Sequence, residues 1–196
     1  MSASPKTPAI VVLPAIVVLG NGSIETARRI RALYNGAQIF GLAGRVDGAD
    51  RQYDNFGSTM REFYQSGTPI IALCASGIVI RTLASLLAEN ETSKTTEPPV
   101  LAVAEDGSAV VPLLGGVSGV NLLAREIAAA LGVEAAITTS GELRFGTCLL
   151  NPPDGFVLSD IEAGKRFVSD LLSGQTVQID GEAPWLNDAK LPLAES

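Results

Sequence analysis

Histidine is absent from this 196-residue chain, and cysteine, methionine and tryptophan are scarce, with two, two and one residues. Without an imidazole no Ser-His-Asp relay can be assembled, and a protein-built transition-metal site loses its commonest ligand. The two cysteines, Cys74 and Cys148, are spaced for neither a disulfide framework nor a zinc site and are expected as buried, reduced thiols. Charge is sparse too, at 18% of residues with a net charge of -7. No run of Lys or Arg offers a stripe for a phosphate backbone, so no nucleic-acid partner is expected. An acidic total still leaves room for an anionic small molecule, because a pocket can be locally positive. The apolar stretch from Ile10 to Gly20 is interrupted by Pro14 and falls short of the ~18 to 20 residues a membrane span needs. It runs into a glycine turn and a helix, as a first strand does, so neither a membrane nor a targeting segment is expected and the chain is placed in the cytoplasm. No cofactor and no metal is called for.

Hydrophobic residues make up 46% of the chain, enough for one good core with a small appended module. After a loose tail at Met1 to Pro8, strands are expected at Ala15–Leu19, Gln38–Leu42, Ile70–Cys74, Val100–Ala104, Ala109–Leu113 and Ala135–Thr138. Helices are expected at Ile24–Tyr34, capped by Ser23, and at Ser58–Gln65, Ile78–Ala88 and Val120–Leu131, the last ended by Gly132. Gly44–Gly57 and the polar Glu89–Pro99 stretch read as loops, and Glu105-Asp106-Gly107-Ser108 as a hairpin turn. This alternation predicts an α/β protein, a doubly wound and mostly parallel sheet with glycine turns at strand ends. The domain is expected over residues 9–140. Asn151-Pro152-Pro153-Asp154-Gly155, a helix at Glu162–Ser173 and a short strand at Val177–Ile179 predict a smaller α+β module over 141–196.

Ligands of such sheets sit at the carboxyl ends of the strands. Three glycine loops are expected there: Gly20-Asn21-Gly22-Ser23, Cys74-Ala75-Ser76-Gly77 and Gly115-Gly116-Val117-Ser118-Gly119. Each opens a helix and offers free backbone N–H groups to a carboxylate or phosphate, although any one alone is equally a tight strand-to-helix turn. The substrate-binding set is Gly22, Ser23, Ser76, Gly77, Arg81, Gly115, Gly116, Ser118, Gly119, Asn121 and Arg125, with the two arginines placed to hold carboxylates. Glu105 and Asp106 are the candidate general bases for activating water, with N–H groups of the 115–119 loop holding an oxyanion. A nucleotide-binding domain is a weaker alternative. The first loop lacks the third glycine of Gly-x-Gly-x-x-Gly, and no Gly-Lys-Ser loop exists.

Three segments carry a family likeness. Val111-Pro112-Leu113-Leu114-Gly115-Gly116-Val117-Ser118-Gly119-Val120-Asn121, continued by Leu123-Ala124-Arg125-Glu126-Ile127, resembles the signature of the cobalt-precorrin-5A hydrolases of cobalamin biosynthesis. Cys74-Ala75-Ser76-Gly77-Ile78-Val79-Ile80-Arg81 and Val103-Ala104-Glu105-Asp106-Gly107 resemble the earlier turn and hairpin, and Ala136-Ile137-Thr138-Thr139 extends the match. The likeness covers residues 15 to 140, and the stretch from Gly141 resembles the family's middle region. It implies hydrolytic opening of a δ-lactone on a cobalt-precorrin, an anionic tetrapyrrole, with release of acetaldehyde. Some members are fused to a precorrin-3B C(17)-methyltransferase, and the irregular tail suggests the N-terminal piece of such a protein. The chain departs from the pattern at Val117, where a histidine is usual, and at Val120, where alanine is usual. A histidine is the acid–base group best matched to neutral pH. Its absence motivates the alternative, a non-catalytic region that binds a corrin intermediate for a fused or partner methyltransferase.

Overall fold

A computed structural model of the chain describes residues 12–89, 97–153 and 155–194. The expected tail at Met1–Pro8, most of the Glu89–Pro99 loop and Asp154 of the Asn151–Gly155 break lie outside the described residues. The strands are β1 Ala15–Val18, β2 Gln38–Leu42, β3 Arg51–Tyr53, β4 Ile70–Leu73, β5 Val100–Val103 and β6 Val110–Leu114. The helices are α1 Ile24–Arg31, α2 Phe56–Gln65, α3 Ser76–Glu89, α4 Val120–Leu131, α5 Ser140–Phe145 and α6 Ile161–Leu172.

All six strands form one sheet in the order β3-β2-β1-β4-β5-β6. The first five are parallel and β6 is antiparallel to β5. Every residue of β1, β4 and β5 is buried, the pattern of strands covered on both faces. Alternate side chains enter two cores. Ile16, Val18, Ile71, Leu73, Leu101 and Val103 pack with Ala27 and Ile30 of α1 and with Ala124 and Ile127 of α4. Ala15, Val17, Ile70, Ala72, Val100 and Ala102 pack with Met60 and Tyr64 of α2 and with Val79 and Leu83 of α3. The expected doubly wound, mostly parallel sheet is therefore present, with its winding direction reversing between β1 and β4.

Five local expectations change. Gly44–Gly57 contains β3, held to β2 by Asp50, whose Oδ2 accepts the Ile39 N–H at 2.8 Å and whose Oδ1 accepts from Arg31 at 2.6 Å. α2 starts at Phe56 because Asn55 caps it, accepting the Ser58 N–H at 2.9 Å. Ala135–Thr138 makes a single bridge, Ala135 to Val110, and Val177–Ile179 likewise only Val177 to Leu193. Ser23 stands at the N-cap of α1 without capping it, since its hydroxyl donates to the Gly20 carbonyl at 2.9 Å.

α5 begins at Ser140 and buries Glu142 and Phe145, so this helix straddles the expected boundary at 140/141. Among the described residues, no helix is long and apolar enough to cross a membrane.

Candidate functional site

The hairpin decides where the glycine loops lie. Register pairs Val18 with Leu73 and Leu73 with Val103, so the segments after β1, β4 and β5 leave the sheet at one edge. That edge holds Gly20–Ser23, Cys74–Gly77 and Glu105–Asp106. β6 then runs back, pairing Val103 with Val110 and Val100 with Leu114. The Gly115–Gly119 loop consequently stands at the amino edge, beside Pro98 and Pro99, which precede β5. The expectation of three loops sharing one edge is corrected by this reversal. At ~3.4 Å per residue, the five residues of β6 separate Asp106 from Gly115 by roughly 15 Å. N–H groups of the 115–119 loop therefore cannot face an oxyanion formed beside Glu105.

At the carboxyl edge, Gly22 lies against Glu105, with a Cβ on the glycine falling 3.6 Å from Oε2. Thr26 Oγ1 donates to the Glu105 carbonyl at 2.8 Å, fastening the first turn of α1 to the hairpin. Asn21 and Asp47 join the loops after β1 and β2. The Asp47 N–H donates to Asn21 Oδ1 at 2.7 Å, and Asn21 Nδ2 donates to Asp47 Oδ2 at 3.2 Å. The Tyr53 hydroxyl donates to the Val18 carbonyl at 2.8 Å. Burial, with the charge of Glu105 adding to it, pushes the Cys74 thiol up to about 11, so this cysteine is protonated at neutral pH and is no nucleophile. Asp106 is exposed and engages its own turn through one oxygen. Its Oδ1 accepts the Ser108 hydroxyl at 2.6 Å and the Ser108 N–H at 2.9 Å, which hold its carboxyl below the usual range. Ser76 and Gly77 open α3, and Arg81 folds back to within 3.4 Å of the Gly77 carbonyl.

The amino edge carries a different chemistry. A cavity of about 700 Å³ lies between the start of α4 and the C-terminal residues, and Gly116, Gly119, Arg125, Glu142, Cys148 and Trp185 are among its walls. Gly116, Gly119 and Arg125 belong to the expected set, and Asn121 from that set lines the cavity as well, whereas Gly115 packs against Pro98 and Ser118 is exposed. The Glu142 side chain is 1% exposed. Its Oε1 accepts Asn121 Nδ2 at 2.6 Å and its Oε2 accepts Arg125 Nη1 at 2.7 Å. Asn121 donates also to Thr139 Oγ1 at 2.9 Å. The Cys148 thiol is pushed up by burial and by Glu142.

Glu142 and Trp185 were not anticipated from the sequence. The available signal was Thr139-x-x-Glu142, the spacing of a capping box. It marks a helix start correctly, but both side chains are diverted: Thr139 does not cap α5, and Glu142 turns to Asn121 and Arg125 instead of back to the helix end. Among the described residues, no group of three or more His, Cys, Asp or Glu side chains is placed to hold a metal ion.

Residues 58–142 match a family model described as Cobalamin synthesis G N-terminal. The cobalt-precorrin-5A hydrolase of Priestia megaterium is 27% identical over 138 residues, covering 66% of this chain and 36% of the relative. That of Salmonella typhimurium is 30% identical over 130 residues, with the same coverage of 66% and 36%. The chain thus spans about a third of the length of the curated relatives it matches. A solved structure of a cobalamin biosynthesis protein G homolog from Sulfolobus solfataricus is 15% identical with a TM-score of 0.47, over 89% of this chain and 52% of that one. The resemblance to the cobalt-precorrin-5A hydrolases inferred from the glycine-loop and hairpin segments holds.

Proposed function

We propose that this chain works in corrin-ring biosynthesis and opens the δ-lactone of a cobalt-precorrin by hydrolysis, with release of acetaldehyde. The observation that carries the chemical step is the position of Glu105. Its carboxylate stands at the carboxyl edge beside Gly22, where the winding direction reverses between β1 and β4, the place at which open α/β sheets bind ligands. Glu105 takes the proton of a water whose oxygen attacks the lactone carbonyl carbon. Ser76 and Gly77 open α3, and their N–H groups have no acceptor in that helix; they lie at the same edge and stabilise the oxyanion in place of the 115–119 loop. The acyl C–O bond then breaks, leaving a carboxyl group and a secondary alcohol on the macrocycle; acetaldehyde departs when the bond between the alcohol carbon and the ring breaks, the hydroxyl giving up its proton to become the aldehyde C=O and the ring carbon taking the electron pair and a proton. Asp106, held by Ser108, shapes the turn and takes no proton.

A second reading has its own support in the absence of any histidine from the chain: a region that binds the corrin intermediate for a fused or partner methyltransferase without turning it over. One experiment separates the two. The purified protein is titrated with the cobalt-precorrin lactone while the visible spectrum is followed and acetaldehyde is trapped. Release that falls at least 100-fold in Glu105→Gln and persists in Asp106→Asn supports hydrolysis. A spectral change without acetaldehyde supports the carrier. An unchanged spectrum removes both.

A further inference from the structure

Glu105 is an exposed residue on a hairpin turn. An exposed glutamate samples many rotamers, and a general base works only when its carboxylate waits where the water is. Two contacts from the start of α1 meet this need, one on the main chain of Glu105 and one on its side chain. Thr26 is 6% exposed and lies 79 residues away in sequence, and its Oγ1 donates to the Glu105 carbonyl at 2.8 Å. Its methyl packs on the same turn, since a Cβ at Gly107 would lie 3.3 Å from Thr26 Cγ2. Hydroxyl and methyl together fix the main chain of the hairpin against α1. The second contact is one turn earlier, at Gly22 in the short 3-10 segment Asn21–Ser23 that leads into α1. A Cβ there would stand 3.6 Å from Glu105 Oε2 and, beyond its chain neighbours, would meet nothing else within 4 Å. Gly22 does not take a left-handed φ, so neither the backbone nor the packing demands a glycine at this position. What the missing side chain leaves is room. A water hydrogen-bonded to Oε2 at about 2.8 Å fills the volume that a methyl would take.

We infer that the entry to α1 sets the base in place: Thr26 is a positioning residue that acts through the main chain of Glu105, and Gly22 keeps open the seat of the attacking water beside Oε2. The inference rests on Glu105 as the base of lactone opening, and adds what holds that base and where its water stands. Tyr53 supplies a contrast. Its hydroxyl also donates to a main-chain carbonyl at this edge, that of Val18 at 2.8 Å, but this bond ties β3 to β1 and not to the hairpin.

The test follows acetaldehyde release from the cobalt-precorrin lactone by the full chain, with Tm measured for each variant. Thr26→Val keeps the methyl and the volume and removes the hydroxyl. It is expected to lower kcat about tenfold or more while KM stays within about twofold, and Thr26→Ser is expected to restore most of the loss. Tyr53→Phe is expected to lower Tm as Thr26→Val does, yet to keep kcat within about twofold of native. Gly22→Ala is expected to keep the native Tm and to lower kcat about tenfold or more, because its methyl displaces the water. It decides the matter if Thr26→Val fails to fold. Native kcat in Gly22→Ala, a kcat in Thr26→Val no lower than in Tyr53→Phe, or a Thr26→Val loss carried by KM overturns the inference; with release still lost in Glu105→Gln, each leaves the base where it is. Release that survives Glu105→Gln, or that is absent from the native protein, removes the base itself and this inference with it.

Discussion

Glu142 accepts hydrogen bonds from Asn121 and Arg125 while almost completely shielded from water. Glu142→Gln keeps the shape but turns one acceptor into a donor, so either Asn121 or Arg125 must face an N–H group. An unmatched buried donor costs about 1–3 kcal/mol, and urea unfolding of the variant should show a loss of that size. A second expectation concerns Cys74. In the unfolded chain its thiol ionises near 9, whereas in the fold burial defers this to about 11. Its contribution to stability is complete below pH 9 and is lost as pH rises toward 11, because only the unfolded state gains from ionising in that window. The Tm of the native protein should therefore fall more steeply between pH 9 and 11 than that of Cys74→Ala, the tyrosines being common to both. Single residues were unevenly visible in the sequence. Asn121 and Arg125 stood out because they follow a glycine loop, whereas Glu142 is one acidic residue in a short helix and acquires its role only from what α4 brings to it.

A glycine loop is not one thing along its length. Gly115 has φ +83°, and a Cβ there would lie 2.6 Å from the Pro98 carbonyl oxygen and 2.7 Å from the Pro99 Cα. Gly116 next to it has open space. Left-handed strain of about 1–2 kcal/mol combined with backbone overpacking of about 1–3 kcal/mol predicts that Gly115→Ala loses about 2–5 kcal/mol. Gly116→Ala should change stability by no more than about 0.5 kcal/mol, and thermal melts of the two variants side by side check the contrast. The glycine at 115 thus leaves room for the Pro98–Pro99 segment that leads into β5. The buried strands β1, β4 and β5 and the turn at Gly107, with φ +77°, could be read from their residue types. β3 could not, because Arg51 and Gln52 are exposed and only Tyr53 is buried, leaving no apolar alternation to detect. Ala135–Thr138 carried the composition of a strand, yet a single bridge to Val110 is all the edge of the sheet offers it.

For the whole molecule, one antiparallel strand changes the functional map. The fold class followed from the alternation of apolar runs and glycine turns, and the hairpin itself was visible at Glu105–Ser108. Its consequence is topological: each further strand exits at the edge its direction dictates, so a reversal between β5 and β6 sends the Gly115–Gly119 loop away from Glu105. Two chemically distinct edges result, a carboxylate at the sheet's reversal point and an arginine fork in a cavity. Residues on them share no partner and are separated by roughly the length of β6, about 15 Å, so their substitutions should not couple. The double variant Glu105→Gln/Arg125→Gln is expected to lose the sum of the single stability changes within about 0.5 kcal/mol. Function should divide in the same way, with acetaldehyde release lost in Glu105→Gln and retained in Arg125→Gln. If acetaldehyde release instead vanished in Arg125→Gln and persisted in Glu105→Gln, the reacting carbon would sit at the amino edge. The base would then have to be sought among the groups around Glu142, and the carboxyl edge would be a structural junction held by Thr26, Asn21 and Asp47.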